Sequence, residues 1–117
     1  MPNGYDRNWV RLCAAIDGFR LRYKRWPTRI RLFPGTLRNL REDVFTPESF
    51  KEIEEHIQFV PDDAPVVAED DLGGRYSYGD EGFPQAEPDI DAKTWLGVVP
   101  DRPAPDWDDI GGGSTNQ

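Results

Sequence analysis

With 117 residues, 37% of them hydrophobic, and a formal net charge of −8, the chain fits one small soluble domain and is too short for two. No apolar run is long enough to span a membrane and no signal-peptide core follows Met1, so we expect a cytoplasmic protein. The single cysteine, Cys13, excludes an intramolecular disulfide and a cysteine-based zinc site.

The first predicted element is an amphipathic helix that begins after Asp6, its expected N-cap, and ends between Tyr23 and Arg25. Pro27 disfavours helical geometry at Trp26 and therefore sets the end of this helix. One apolar stripe at helical spacing runs along it, formed by Trp9, Leu12, Cys13, Ile16, Phe19 and Tyr23.

A strand and two short helices are predicted next. Residues 28–33 alternate between apolar and charged side chains, which is typical of a strand, and the Pro-Gly pair at 34–35 closes it. Apolar residues spaced three and four apart within residues 37–44 predict a short helix. Another helix should begin at Thr46, because Thr46 can cap it and Pro47 suits its first turn.

A β-hairpin is predicted from residues 65–70 and 75–79, because the glycine pair between them suits a chain reversal. Residues 58–60 are a further short candidate strand. This order of elements favours an α+β fold, with a partly antiparallel sheet of three or four strands and helices on one face.

We assign the globular domain to residues 1–79 and an acidic tail to residues 80–117, which hold five prolines and five glycines and show no sustained period. The tail either wraps its own domain, with Trp95 completing the core, or engages a partner. Tryptophan flanked by carboxylates suits an apolar pocket with a basic rim. The candidate partner-binding residues are Trp95, Leu96, Trp107, Asp106, Asp108 and Asp109.

The charges of the chain are divided along its length. Residues 1–41 carry 10 Lys/Arg and two Asp, whereas residues 42–117 carry four Lys/Arg and 20 Asp/Glu. The two groups either form surfaces of opposite sign or neutralise each other. Cations with aromatic residues among them are typical of a nucleic-acid-binding face, which makes nucleic-acid binding the alternative function. Its candidate residues are Arg20, Arg22, Lys24, Arg25, Arg29 and Arg31.

A metal-dependent hydrolase is the third hypothesis. Glu52 and His56 are four residues apart and share a helix face, and Asp70 or Asp71 at a strand end could supply the missing ligands. The same residues also fit a solvated helix face and an ordinary turn, which we prefer, so we assign no metal, cofactor or catalytic residue.

The sequence therefore favours a non-enzymatic accessory or regulatory protein that docks on a larger protein partner through charge complementarity and tail aromatics. An acidic protein of this kind can also act as an inhibitor or decoy of a nucleic-acid-binding protein, with carboxylates in place of phosphates. The oligomeric state stays open.

Overall fold

The computed structural model describes residues 7–78 and 90–101. In this part of the chain a four-stranded mixed sheet packs against helices, which confirms the predicted α+β class. The elements are α1 (Arg7–Tyr23), β1 (Arg29–Leu32), α2 (Pro34–Asn39), a π-helical turn (Leu40–Val44), α3 (Pro47–Glu54), β2 (Gln58–Pro61), β3 (Val66–Glu69), β4 (Arg75–Ser77) and α4 (Ala92–Leu96).

The strand order in the sheet is β2-β1-β3-β4. β3 and β4 form the predicted antiparallel hairpin, and the candidate strand at residues 58–60 is confirmed as β2. β1 pairs with β2 in parallel and with β3 antiparallel. A parallel pair needs a crossover connection, and the segment containing α2 and α3 supplies it.

The core lies between the sheet and α1, which packs across β3 and β4. Alternation along β1 directs Ile30 and Leu32 into this core, where both are fully buried, and leaves Arg29 and Arg31 on the opposite face. Gly18 of α1 lies against the ring of Tyr76 on β4. The absence of a side chain at position 18 therefore allows the helix to approach the sheet closely.

Leu37, Leu40 and Val44 are buried as their spacing predicts, but the helix that carries them changes type at Leu40. The N–H of Phe45 donates to the carbonyl of Leu40 at 3.1 Å, a bond that spans five residues instead of four. The extra residue of this π-helical turn still allows Val44 and Phe45 to be buried together.

Thr46 caps α3 as predicted: its hydroxyl accepts a hydrogen bond from the N–H of Ser49 at 3.3 Å, and Pro47 occupies the first turn. Phe50 and Ile53 form the buried side of the helix. Within residues 7–78 and 90–101, no helix is long and apolar enough to cross a membrane.

Residues 90–101, which fall in the predicted tail, are part of the same hydrophobic core. Ala92, Leu96 and Val98 are at most 8% exposed and belong to the cluster that α1 and the sheet form. α4 is closed by Gly97 in the left-handed conformation (φ 75°), a position that favours glycine. For residues 90–101 the structure therefore shows the first of the two predicted alternatives, in which the tail packs against its own domain.

Candidate functional site

Glu69 is surrounded by arginines on the sheet face opposite α1. Its carboxylate accepts hydrogen bonds from Arg29 Nε at 2.9 Å, Arg31 Nε at 2.8 Å and Arg75 Nη1 at 2.7 Å. The strand register explains this, because Arg29 and Arg75 are the direct cross-strand neighbours of Glu69. Burial acts to raise the pKa of Glu69, but the bonds from Arg31 and Arg29 outweigh it, so the pKa lies below its ordinary value.

The ion pairs extend beyond Glu69 at both ends of β1. Arg29 also pairs with Asp71 at 2.6 Å, and Arg31 also pairs with Asp62 at 3.2 Å. Arg25 pairs with Asp70. The Arg25–Asp70 pair is linked to the others only through Arg29, which donates to the backbone carbonyl of Asp70 at 3.3 Å. We call these four guanidinium groups and four carboxylates the sheet charge network: Arg25, Arg29, Arg31, Arg75, Asp62, Glu69, Asp70 and Asp71.

Asp70 holds the turn of the β3–β4 hairpin. Oδ1 accepts hydrogen bonds from the N–H groups of Leu72 at 3.0 Å and Gly74 at 2.8 Å, and Oδ2 accepts one from Arg25. The bond from Arg25 is the main reason that the pKa of Asp70 falls to about 2. The charged form of Asp70 is therefore the form that stabilises the fold.

We expect Asp70→Asn to destabilise the protein at pH 7 and to lose this effect in acid. The pKa in the folded state is below the ordinary 3.8, so the contribution of Asp70 is present above about pH 4 and disappears as the pH falls towards 2. Urea unfolding at pH 7, 5 and 3 measures this effect: the difference in free energy of unfolding between wild type and variant should be the same at pH 7 and pH 5 and smaller at pH 3. Asp63→Asn, at an exposed position, is the control and should stay within about 0.5 kcal/mol of wild type. A gap that is constant with pH would contradict the assignment.

The six cations proposed for nucleic-acid binding are mostly engaged within the domain. Arg25, Arg29 and Arg31 belong to the sheet charge network. The guanidinium of Arg20 lies 4.9 Å from the ring centroid of Trp26, and that of Arg22 lies 4.8 Å from the ring of Tyr76. Lys24 is exposed, at a left-handed backbone position with φ 61°. The structure therefore does not gather the six into one unneutralised patch.

Trp95 is part of an aromatic stack that joins three distant parts of the chain. Its ring lies parallel to that of Trp26, with centroids 4.4 Å apart and 2° between the planes. His56 packs on Trp95 at 5.0 Å, and Arg20 packs over Trp26. Because both indole rings already contact groups of the same chain, they offer little stacking surface to a nucleobase.

The segment that carries Trp95 is anchored at both ends. The N–H of Ala92 donates to Asp17 Oδ1 at 2.7 Å, and burial raises the pKa of Asp17 to about 6. At the other end Asp101 accepts hydrogen bonds from the N–H and hydroxyl of Thr46, both at 2.8 Å, and from the Ser49 hydroxyl at 2.6 Å. These bonds tie residues 90–101 to α1 and to the start of α3.

Two of the predicted partner-binding residues therefore contact their own domain. Leu96 is 1% exposed and is a core residue here, not a contact available to a partner, while Trp95 is half-buried in the stack. The other four lie outside the described residues: Asp106, Trp107, Asp108 and Asp109.

α3 presents carboxylates to solvent that sequence reasoning did not single out as a surface. Glu48 and Glu52 of α3 and Glu55, which caps its C-terminus, are spaced at i, i+4 and i+7, so they share one side of the helix, and all three are exposed. In the described ranges none of them has a lysine or arginine within ion-pair distance. We call these three residues the acidic face of α3.

The candidate metal ligands are not assembled into a site. Asp70 is held by Arg25 and the hairpin turn, and His56 packs on Trp95. Throughout residues 7–78 and 90–101, no group of three His, Cys, Asp or Glu side chains is placed to hold a metal ion. Cys13 is buried in the stripe of α1, and burial raises the pKa of its thiol, which opposes formation of a reactive thiolate.

The described residues thus present two kinds of charged side chains. On the sheet, arginines and carboxylates neutralise each other, whereas the acidic face of α3 is not neutralised. Arg7 and Arg11 add a cationic pair at the start of α1. Comparison of the chain with protein-family models, with curated proteins and with solved structures found no match.

Proposed function

We propose that the protein is a non-enzymatic binding module that docks on a cationic surface of a larger protein through the acidic face of α3. The observation that carries the proposal is an imbalance in how charges are paired. The four arginines of the sheet charge network are balanced by four carboxylates, whereas the carboxylates of Glu48, Glu52 and Glu55 have no described cationic partner.

The acidic face contributes little to the stability of the domain itself. Glu48 and Glu52 are like charges at i, i+4, a spacing that destabilises an isolated helix by roughly 0.2–0.5 kcal/mol. Lys51, the one cation within α3, is three residues after Glu48 and four before Glu55, but it is not within ion-pair distance of either carboxylate. A partner with lysines or arginines on its surface would relieve this repulsion, and charge complementarity would also speed its association.

The rigidity of the surface supports docking as well. α3 is capped by Thr46 and held from outside by Asp101, which bonds to both Thr46 and Ser49. Phe50 stacks on Phe59 of β2 with ring centroids 5.2 Å apart, which fixes the helix on the sheet. A surface that is ordered before binding loses less conformational entropy when a partner arrives.

A cationic groove that normally holds nucleic acid is one surface with the required charge. On such a surface the acidic face would stand in for a run of phosphates, and the protein would act as an inhibitor. This form of the proposal predicts competition with nucleic acid for the same partner, in addition to binding.

The test is affinity capture from nuclease-treated host lysate with two charge variants of the full chain. One replaces Glu48, Glu52 and Glu55 with glutamine. The matched control removes the same number of charges from other exposed positions, Glu42, Glu54 and Asp63. We expect a protein that is recovered by wild type and by the control, with at least a tenfold loss in the acidic-face variant.

The recovered partner should also bind more weakly as salt increases, because the contact is between exposed charges. Equal recovery by all three proteins would overturn the assignment to α3. An equal loss of recovery in both variants would show that binding depends on the net charge of the protein and not on the position of the carboxylates. A parallel capture without nuclease tests the alternative: a partner recovered only from the untreated lysate would favour nucleic-acid binding by the basic residues.

A further inference from the structure

A cavity of about 370 Å³ opens beside the first turns of α1. Among the described residues it is lined by Arg7, Val10, Arg11 and Tyr78. Its volume lies within the range of small-molecule sites in proteins. Val10 is 38% exposed, so an apolar side chain is presented next to two guanidinium groups.

The two arginines differ from those of the sheet because no described carboxylate neutralises them. Within residues 7–78 and 90–101, neither Arg7 nor Arg11 is within 4.0 Å of a carboxylate oxygen. Arg11 donates to Asn8 Oδ1 at 3.4 Å and lies 5.5 Å from the ring centroid of Tyr78, which orients its guanidinium beside the cavity. A guanidinium has five N–H donors, so most of them remain for another acceptor.

The lining selects one kind of ligand. Arg7 and Arg11 are four residues apart on the same side of the helix, so they can bind one dianion together. Phosphate carries close to two charges at neutral pH and accepts paired hydrogen bonds from guanidinium groups. Val10 and the ring of Tyr78 would contact an apolar group attached to that phosphate.

We propose that this cavity binds a small phosphomonoester that carries an apolar or aromatic group. The site does not involve the acidic face of α3, so the two proposals can fail independently. Arg7 and Arg11 bind the phosphoryl group, and Val10 and Tyr78 pack against the organic part.

The test is a titration of the ¹⁵N-labelled full chain with phenyl phosphate at low salt, followed by amide chemical shifts. Inorganic phosphate and phenol are the comparison ligands, since each supplies one half of the probe. We expect saturable shifts at the amides of residues 7–11 and of Tyr78, and an affinity for phenyl phosphate at least tenfold above that for either half.

Arg7→Gln with Arg11→Gln should weaken phenyl phosphate binding at least tenfold. Arg38→Gln with Arg41→Gln, at two other exposed arginines, is the control of equal charge and should stay within twofold of wild type. Val10→Phe, at an exposed position, narrows the apolar side of the cavity and should remove the preference for phenyl phosphate over phosphate.

Absence of saturable shifts would overturn the proposal. So would an equal loss of affinity in the two arginine variants, because that would indicate general attraction of anions. If phosphate and phenyl phosphate bind wild type with equal affinity, the assignment of Val10 and Tyr78 to the organic part of the ligand is wrong.

Discussion

Replacing Gly18 with alanine is expected to destabilise the protein by about 3 kcal/mol or more, at the upper end of the effect of overpacking in a core. A Cβ atom at position 18 would lie 2.1 Å from Cε1 and 2.2 Å from Cζ of Tyr76. The obstacle is the body of a ring that is 1% exposed, so it cannot move aside without displacing β4 or its neighbours.

The sign of this effect makes it diagnostic. In a helix interior alanine is normally favoured over glycine by about 1 kcal/mol, so helix propensity alone predicts stabilisation. Gly35, in the first turn of α2, has no atom within 4 Å of an added Cβ. We therefore expect Gly35→Ala to leave stability unchanged or to raise it by up to about 1 kcal/mol.

Urea unfolding followed by circular dichroism measures both variants. Should Gly18→Ala be too unstable to purify, the double variant Gly18→Ala with Tyr76→Ala tests the same contact, because removing the ring removes the clash. The double variant should then be no less stable than Tyr76→Ala alone, because alanine at position 18 no longer meets the ring. Similar stabilities for Gly18→Ala and Gly35→Ala would show that α1 does not lie this close to β4.

The elements of the fold could be predicted from the sequence because their signals are local. The stripe of α1, the alternation along β1 and the cap at Thr46 each depend on residues within a few positions of one another, and all three are confirmed. Spacing did not reveal the π-helical turn, since Leu40 and Val44 are buried in either helix type.

The contacts that define the surfaces could not be predicted, because they join residues far apart in the chain. Alternation placed Arg29 and Arg31 on one face of a strand, but only the antiparallel register of β1 and β3 brings Glu69 between them. The stack of Trp26 on Trp95 likewise joins residues that have no local relation. The sequence left open whether the basic and acidic halves of the chain neutralise each other. In the described residues, the carboxylates that pair with the arginines lie in and next to β3, at Asp62 and at residues 69–71.

The exchange of Leu96 for alanine is expected to cost about 2–5 kcal/mol, the usual range for truncating a fully buried leucine. Leu96 is 1% exposed and packs in the same cluster as α1 and the sheet. α4 has only five residues and cannot be stable by itself, so the packing of Leu96 holds this segment in place. Its loss should also separate Trp95 from Trp26, which tryptophan fluorescence can follow.

Val99→Ala is the matched control, because Val99 belongs to the same segment and is 61% exposed. Its effect on the free energy of unfolding should stay within about 0.5 kcal/mol. A Leu96→Ala variant as stable as Val99→Ala would mean that residues 90–101 are not part of the core, and Trp95 and Leu96 would again be available to a partner. A large difference between the two variants would instead place these residues in the domain, so that docking depends on surfaces such as α3 that remain exposed after the segment has packed.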